Sequence, residues 1–181
     1  MSKGTVISLF TGAMGLDLGF EREGFEVRVV VDKDPRAVAT IAESRARTGL
    51  PPIPIISDDI HYVSTEAILQ AAQLRRGEAT VVTGGPPCEP FSTAGRRNGF
   101  QDWRANAVYE FIRVVDEARP LFFVFEEVPG FLRAAKRHIS FYERVKKRRE
   151  ELEPDERLGS AFDEVFLAFK ATGYALSYAV L

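Results

Sequence analysis

The chain has 181 residues, of which 45% are hydrophobic and 28% charged, a composition typical of one soluble globular domain (1–181) that buries its own core. The formal net charge is −2, with one cysteine and two histidines. A single cysteine excludes an internal disulfide, and one cysteine with two scattered histidines gives no cluster of metal ligands. No apolar run in the sequence is long enough to span a bilayer. We therefore expect a cytoplasmic protein without a metal.

Strand-like and helix-like segments alternate along the chain. In chain order the pattern predicts a strand at Thr5–Phe10, a turn at Gly12–Gly15, a helix at Leu16–Glu23, a strand at Glu26–Val31, a helix at Arg36–Thr48, a strand at Ile55–Ser57 and a helix at Thr65–Arg75. It then predicts a strand at Ala79–Thr83, a helix at Asn106–Ala118, a strand at Phe122–Phe125, a long helical region in the 130s to 150s, a helix at Ala161–Ala171 and a strand at Tyr174–Val180. Repeated strand–helix–strand units indicate an α/β fold with a doubly wound, mostly parallel sheet. Ligands of such sheets bind at the carboxyl ends of the strands.

The first three strand ends carry residues suited to a ligand. The glycines of Phe10-Thr11-Gly12-Ala13-Met14-Gly15 allow a ligand to approach the backbone closely, although such glycines often serve only to pack helix on strand. Their spacing is not G-x-G-x-x-G, which disfavours a nicotinamide or flavin. Asp32 can accept hydrogen bonds from ribose hydroxyls, or it can cap the next helix, for which Asp34 is better placed. In Asp58-Asp59-Ile60 one carboxylate can accept a hydrogen bond from an adenine amino group while Ile60 packs on the ring, although an isolated pair of carboxylates more often lies in a solvent-exposed loop.

The single cysteine lies in a stiff loop after the fourth strand, Thr83-Gly84-Gly85-Pro86-Pro87-Cys88-Glu89-Pro90-Phe91-Ser92. Proline fixes φ and removes donors, so the loop can hold a thiol in one orientation. A lone cysteine is more often a small buried hydrophobic residue. Its place at the ligand-binding edge favours a nucleophile.

These stretches together resemble the cytosine-5 DNA methyltransferases. Pro86-Pro87-Cys88 and Pro90-Phe91-Ser92 are similar to that family's nucleophile loop, and Leu9–Phe20 resembles its cofactor loop. Asp59-Ile60 matches its adenine-contacting pair, and Phe123–Gly130 resembles its Glu-Asn-Val segment. The resemblance is collinear from the first strand to the last residue.

The resemblance implies a Rossmann-like, S-adenosylmethionine-dependent methyltransferase that acts on a cytosine flipped out of DNA. It also implies that the thiolate of Cys88 adds to C6 of the cytosine and that Glu126 contacts N3 of the base, and we expect burial to raise the pKa of Glu126. By the same resemblance Arg104 lies in the loop that closes over the base, where it either contacts phosphate or is a surface arginine without a role in binding. The implied cofactor contacts are Phe10, Thr11, Gly12, Ala13, Met14, Gly15, Asp32, Lys33, Asp59, Ile60, Pro86 and Ala107.

The sequence departs from the family pattern at five positions. The residues found, with the family's usual residue in parentheses, are Ser8 (aspartate), Met14 (often glycine), Glu89 (glutamine), Ala107 (leucine) and Glu127 (asparagine). A carboxylate at Glu89, beside Cys88, opposes thiolate formation. These changes bear on rate and cofactor affinity more than on reaction type.

The resemblance ends at the family's sixth strand. The Gln-x-Arg-x-Arg segment, the seventh strand and the target-recognition region have no counterpart in the sequence, so we expect a sheet incomplete at its C-terminal end and a second polypeptide that supplies these parts. A truncated fragment or pseudoenzyme is the alternative. The basic stretch Arg133–Arg149 is interpreted as a solvated helix face rather than a phosphate-binding surface. A tRNA cytosine-5 methyltransferase and a non-catalytic cofactor-binding subunit stay open as hypotheses.

Overall fold

The computed structural model describes residues 2–87, 106–137, 139–147 and 151–181. The chain divides into two compact units. The first, called the sheet unit, comprises Met1–Pro86 and Arg113–Glu126, and the second unit comprises Pro87–Ile112 and Glu127–Leu181.

The sheet unit is built on a five-stranded sheet of order β3-β2-β1-β4-β5 in which every neighbouring pair is parallel. The strands are β1 (Thr5–Leu9), β2 (Glu26–Val31), β3 (Ile55–Ile56), β4 (Val81–Gly84) and β5 (Phe122–Phe125). The central strands are rich in valine and isoleucine and largely buried, which is typical of a parallel sheet covered on both faces. The predicted α/β fold with a parallel sheet is confirmed.

Helices lie between the strands at α1 (Gly15–Arg22), α2 (Pro35–Thr48), α3 (Thr65–Ala72) and α4 (Asn106–Ala118), with a short 3-10 turn at Ile60–Tyr62. The side chain of Asp34 accepts a hydrogen bond from the N–H of Arg36 at 2.9 Å and caps α2, as expected from sequence. Gly49 ends α2 with a φ of 67°, a conformation that favours glycine.

The core of the sheet unit lies between the sheet and its helices. One cluster combines residues from β1, β2, β4, α2 and the loop before α1: Val6, Met14, Val27, Val30, Ile41 and Val81. Phe20 and Phe25 pack against it with their rings edge to face, 5.6 Å between centroids. Each fully buried side chain of this size contributes about 1.5–3 kcal/mol.

The second unit contains α5 (Phe141–Lys146), α6 (Ser160–Ala171) and 3-10 turns at Pro129–Arg133 and Pro154–Glu156. Aromatic side chains hold it together. The ring of Phe162 lies 6.0 Å from that of Phe131 and 5.1 Å from that of Tyr178, and Phe111 packs edge to face on Phe169 at 6.0 Å.

The long helix predicted across the 130s to 150s was wrong. Among the described residues of that region only the six of α5 are α-helical, because Ser140 starts α5 with a capping box shared with Glu143 and the backbone turns extended at Lys147. Pro154 then opens a separate 3-10 turn. The charged residues of this region favour a helix, which is why the sequence predicted one, but capping residues divide the region into short separate elements.

The strand predicted at Tyr174–Val180 was also wrong. Residues 174–181 form no strand in the structure, and Tyr178 and Val180 are 66% and 64% exposed. Alternating apolar residues stabilise a strand only when a neighbouring strand receives their backbone hydrogen bonds. Within the described residues, no ladder joins this segment to another strand.

Candidate functional site

The carboxyl ends of four strands lie level with one another in the sheet unit. In the register of the ladders Leu9 pairs with Val31 and with Gly84, and Gly84 pairs with Phe125. The next residue after each of these shares the same edge: Phe10, Asp32, Gly85 and Glu126. This is the edge at which ligands of doubly wound sheets bind.

The carboxylate of Asp32 holds the loop that follows β1. Its Oδ2 accepts a hydrogen bond from the N–H of Gly12 at 2.7 Å, and its Oδ1 accepts one from the N–H of Asp34 at 2.8 Å. Gly12 has a φ of 54° and no atom within 4 Å of where a Cβ would lie, so only the backbone conformation requires glycine there. A carboxylate oxygen can accept more than one hydrogen bond, so Asp32 keeps acceptor capacity for a ligand.

The loop itself is compact and conformationally unusual. Phe10 and Met14 have φ values of 53° and 65°, a region that side-chain-bearing residues rarely adopt. The N–H of Met14 donates to the carbonyl of Thr11 at 3.0 Å, and the Thr11 hydroxyl donates to the Ser8 hydroxyl at 3.0 Å. The Met14 side chain is buried in the core at 3% exposure, so only its backbone is available to a ligand.

Asp59, after β3, is an anion with two basic neighbours. Its carboxylate lies 2.9 Å from Nζ of Lys33 and 2.7 Å from Nδ1 of His61. Partial burial raises the pKa of Asp59, but hydrogen bonds from His61 and Lys33 outweigh burial and lower this pKa to about 2. Ile60 is buried at 4% exposure, which leaves little of its side chain for stacking on a ring.

Arg113 of α4 holds the segment after β3 in place. Its Nη2 donates to the carbonyls of Ile60 at 3.2 Å and Val63 at 2.9 Å, and its Nη1 donates to the hydroxyl of Thr65 at 3.0 Å. Nη1 also lies 3.2 Å from the carboxylate of Glu117. One guanidinium therefore fixes the backbone on which the predicted adenine contact depends.

A cavity of about 270 Å³ opens at this edge of the sheet. Its lining comes from β1, the loop after it, α1 and the ends of β4 and β5: Ser8, Leu9, Phe10, Thr11, Leu16, Asp17, Gly84, Gly85 and Glu126. Gly85 permits the close approach of Glu126, because a Cβ on Gly85 would lie 2.5 Å from Oε2 of Glu126. The backbone N–H of Glu126 donates to the carbonyl of Gly84 at 3.0 Å, which fixes the start of its side chain at this edge.

Asp17 brings a second carboxylate to the cavity. It lies in the first turn of α1 and is 1% exposed, and its Oδ1 is buried without a hydrogen-bond partner among the described residues. Burial raises the pKa of Asp17 to about 6, against the effect of a hydrogen bond with the side chain of Ser8. A carboxyl with such a pKa is partly protonated near neutral pH.

A larger cavity, of about 620 Å³, lies at the opposite edge of the sheet. Its lining includes the start of β2 at Glu26 and the proline-rich segment before β3 at Pro51–Pro54. The ion pair of Arg45 and Glu21, at 2.8 Å, also lines it. Because the amino ends of parallel strands are not where such folds bind ligands, we place the candidate site in the smaller cavity.

In the second unit, the basic stretch is engaged by carboxylates and a carbonyl of the same unit. Glu156, 1% exposed, lies 2.9 Å from Nζ of Lys147 and 3.2 Å from Nη2 of Arg137. Nη1 of Arg144 donates to the backbone carbonyl of Glu156 at 2.5 Å, and Lys136 pairs with Glu164. These contacts favour an internal structural role for this stretch over phosphate binding, although it is not the helix face that the sequence predicted.

No helix within the described residues is long and apolar enough to cross a membrane. The described part of the chain likewise brings no three histidine, cysteine, aspartate or glutamate side chains together in a way that could hold a metal ion.

Comparison with known proteins shows the family of this chain. The profile of the C-5 cytosine-specific DNA methylase family matches residues 4–181. The chain belongs to this family.

Several curated relatives of this chain are type II methyltransferases. M.AquIA of Picosynechococcus sp. is 44% identical over 131 residues, which cover 72% of this chain and 51% of the relative. M.NgoPII of Neisseria gonorrhoeae is 36% identical over 133 residues, covering 74% of this chain and 35% of the relative. The chain thus spans about half the length, or less, of these relatives.

A solved structure supports the same fold. An E. coli prophage-encoded protein, described as a candidate DNA modification methyltransferase, superposes with a TM-score of 0.62 and 26% identity. The match covers 93% of this chain and 38% of that protein.

The structure brings together most of the site residues that the sequence predicted. The residues at the carboxyl edge of the sheet unit are Phe10, Thr11, Gly12, Ala13, Met14, Gly15, Asp32, Lys33, Asp59, Ile60 and Glu126. Pro86 is a buried residue near the end of β4 in the same unit, whereas Ala107 is a buried residue of the second unit. Cys88 and Arg104 lie outside the described residues, so their predicted roles stay predictions.

Two residues of the candidate site were missed from sequence. Arg113 carries no motif, and only its contacts reveal its role. Asp17 had a possible signal, since it stands between Leu16 and Leu18 in a helix expected to bury leucines. The helix does the reverse: Leu16 and Leu18 are 43% and 37% exposed, and Asp17 is buried.

Proposed function

We propose that this chain is the cofactor-binding and catalytic portion of a methyltransferase that moves a methyl group from S-adenosylmethionine to C5 of cytosine in DNA. The proposal depends on one observation: the carboxyl ends of the strands are aligned at one edge of the sheet. At this edge Asp32 accepts a hydrogen bond from the loop after β1, and Glu126 lines the neighbouring cavity. Family membership supplies the reaction class, and this geometry supplies a place for the donor.

The residues at the edge fit S-adenosylmethionine. Gly12 and its neighbours present an open backbone, Asp32 retains acceptor capacity for ribose hydroxyls, and Asp59 is an ionised acceptor suited to an adenine amino group. The buried Oδ1 of Asp17 is an acceptor that lacks a donor within the described residues. The bound donor supplies an electrophilic methyl group.

The protein's own residues carry the remaining steps. Cys88 as a thiolate adds to C6 of the flipped cytosine, which moves electron density to C5, and the carboxyl of Glu126 holds a proton at N3 of the base. C5 takes up the methyl group, the C5 proton leaves to a base, and the electrons of the broken C5–H bond expel Cys88 as a thiolate. The products are 5-methylcytosine, the demethylated donor and a proton.

A second polypeptide is part of the proposal. β5 and the residue before it present large apolar side chains to solvent, with Phe122 60%, Val124 38% and Leu121 66% exposed. Within the described residues its ladder runs only to β4, and an exposed apolar patch of this kind is typical of a surface that another chain covers. We propose that a chain bearing the Gln-x-Arg-x-Arg segment and the target-recognition region covers this side of β5.

The catalytic proposal is tested with S-adenosylhomocysteine, DNA containing 5-fluorocytosine, and the full chain with and without the product of its neighbouring reading frame. We expect calorimetric binding of S-adenosylhomocysteine to the chain, and a covalent DNA adduct when the partner and S-adenosylmethionine are present. Cys88→Ser should form no adduct. If the wild-type complex binds the DNA and cofactor but forms no adduct, the catalytic reading is refuted; full activity of the chain alone would refute the need for a partner.

The docking of the partner on β5 has its own test. Phe122→Lys should weaken co-purification of the two chains at least tenfold, because it places a charge on the covered surface. Tyr62→Lys, at a residue that is 83% exposed on another part of the sheet unit, is the matched control and should leave the complex intact. Equal behaviour of the two variants would place the interface elsewhere.

A further inference from the structure

Asp17 is a charged residue in a position that apolar residues normally occupy. It is 1% exposed, and its Oδ1 makes no hydrogen bond within the described residues. A buried carboxylate oxygen without a donor is unfavourable, and native structures normally satisfy such atoms with a protein group, water or a ligand. Asp17 is one of the residues that line the cavity at the carboxyl edge of the sheet, which places the buried oxygen beside a space that a ligand can enter.

The cavity has the charge of a cation site. Two carboxylates line it, those of Asp17 and Glu126, and its lining within the described residues contains no lysine or arginine. A third carboxylate, that of Glu21, acts on Asp17 through space and is itself paired with Arg45 at 2.8 Å. A donor with a positive charge therefore suits the buried oxygen of Asp17 better than a neutral or anionic group.

The size and position of the cavity fit one end of a larger molecule. Its volume of about 270 Å³ is slightly below the ~300–1,000 Å³ of pockets that enclose a whole ligand. It adjoins the loop in which Gly12 donates to Asp32, the proposed ribose contact. A nucleoside held at Asp32 can thus direct its 5′ substituent towards Asp17.

We propose that Asp17 binds the ammonium group at the amino-acid end of the methyl donor, with its buried carboxylate oxygen as the acceptor. This inference rests on the proposed function, because it takes S-adenosylmethionine as the ligand. Asp17 then orients the donor from the end opposite the adenine. A donor that is held at its ammonium group and at its nucleoside cannot rotate freely about the bonds between them, which fixes the direction of the sulfonium methyl.

The contact predicts a specific dependence on ligand structure. The full chain with Asp17→Asn should bind S-adenosylhomocysteine roughly 10- to 100-fold more weakly than wild type, since a hydrogen bond between two charged groups is lost. Binding of 5′-methylthioadenosine, which lacks the amino-acid end, should change less than about twofold. Asp163→Asn is the matched control, because Asp163 also lies in the first turn of a helix but is exposed.

A second measurement needs no variant. Because the pKa of Asp17 is raised to about 6, part of the population carries a proton at pH 6, and an ammonium ligand should displace it. Calorimetry at pH 6 in buffers of different ionisation enthalpy should show proton release with S-adenosylhomocysteine and none with 5′-methylthioadenosine.

Each outcome decides one question. If wild type binds neither ligand, the proposed function fails. If wild type binds both but Asp17→Asn weakens them equally, or weakens neither, Asp17 is only structural and the inference is overturned. If Asp17→Asn does not fold, equal proton release with the two ligands overturns it.

Discussion

Replacing Asp32 by asparagine tests the clamp on which the cofactor site depends. The two carboxylate oxygens each accept one backbone N–H, from Gly12 at 2.7 Å and from Asp34 at 2.8 Å. Asparagine keeps one acceptor and presents an NH₂ group where the other oxygen was, so one backbone donor then faces a donor. The change removes a charge-assisted hydrogen bond in a half-buried position.

The expected cost follows from that geometry. A hydrogen bond to a charged group contributes about 1.5–3 kcal/mol, so Asp32→Asn should lower the free energy of unfolding by about 2 kcal/mol. For a chain of this length that corresponds to a fall in Tm of roughly 4–8 °C. Affinity for S-adenosylhomocysteine should fall at least about tenfold, because the loop loses its anchor and the ribose loses an acceptor.

Asp34→Asn provides a matched control only two residues away. Asparagine is about as good a helix cap as aspartate, and the exposed ion pair of Asp34 with Arg36 contributes at most about 1 kcal/mol. Thermal unfolding and calorimetry of both variants decide the matter. Equal Tm values for the two variants, or wild-type ligand affinity in Asp32→Asn, would show that the carboxylate does not hold the loop.

Three further perturbations have defined outcomes. Gly85→Ala should displace the carboxylate of Glu126, because the new Cβ would lie 2.5 Å from Oε2. Methyl incorporation by the reconstituted enzyme should therefore fall at least about tenfold. Gly19→Ala is the control and should keep full activity, because no atom lies within 4 Å of the Cβ that it adds. The pKa of Asp59 is lowered from 3.8 to about 2 in the folded chain, so as the pH falls the unfolded chain takes up a proton at this residue before the folded chain does. The contribution of the ionised carboxylate to the free energy of unfolding, which is present above pH 4, should therefore disappear as the pH falls towards 2. Urea midpoints should therefore drop less steeply over this pH range in Asp59→Asn, and parallel curves would contradict the ion-pair assignment. Ser140→Ala should destabilise α5 by about 1 kcal/mol, seen as faster amide exchange in that helix alone.

The sheet could be predicted from sequence because its signals are local. Runs such as Val27–Val31 and Val81–Thr83 are buried on both faces, and short polar or glycine-containing segments separate them from the helices. The carboxyl edge follows from the topology alone, since every strand runs the same way. This is why Asp32, Asp59 and Glu126 could be assigned to one edge before any contact was known.

The errors arise where a local pattern depends on a partner elsewhere in the chain. The segment Tyr174–Val180 has a strand-like sequence, but a strand also needs a neighbour. The charged region before α6 has helical propensity, yet it folds around the buried carboxylate of Glu156. Asp17 was missed for the same reason: its role depends on Ser8 and on the end of β5, which are remote in sequence or in another element.

Met14 shows how the fold accommodates a departure from the family pattern. The residue stands where glycine is often found, and its φ of 65° costs roughly 1–2 kcal/mol in a side-chain-bearing residue. Its side chain is 3% exposed and packs in the cluster with Val6 and Ile41, a burial that contributes about 1.5–3 kcal/mol. The two terms are of similar size and opposite sign, so the loop keeps its glycine-like backbone without glycine. Since the side chain of Met14 packs in the core, we expect this departure to leave the proposed cofactor site intact.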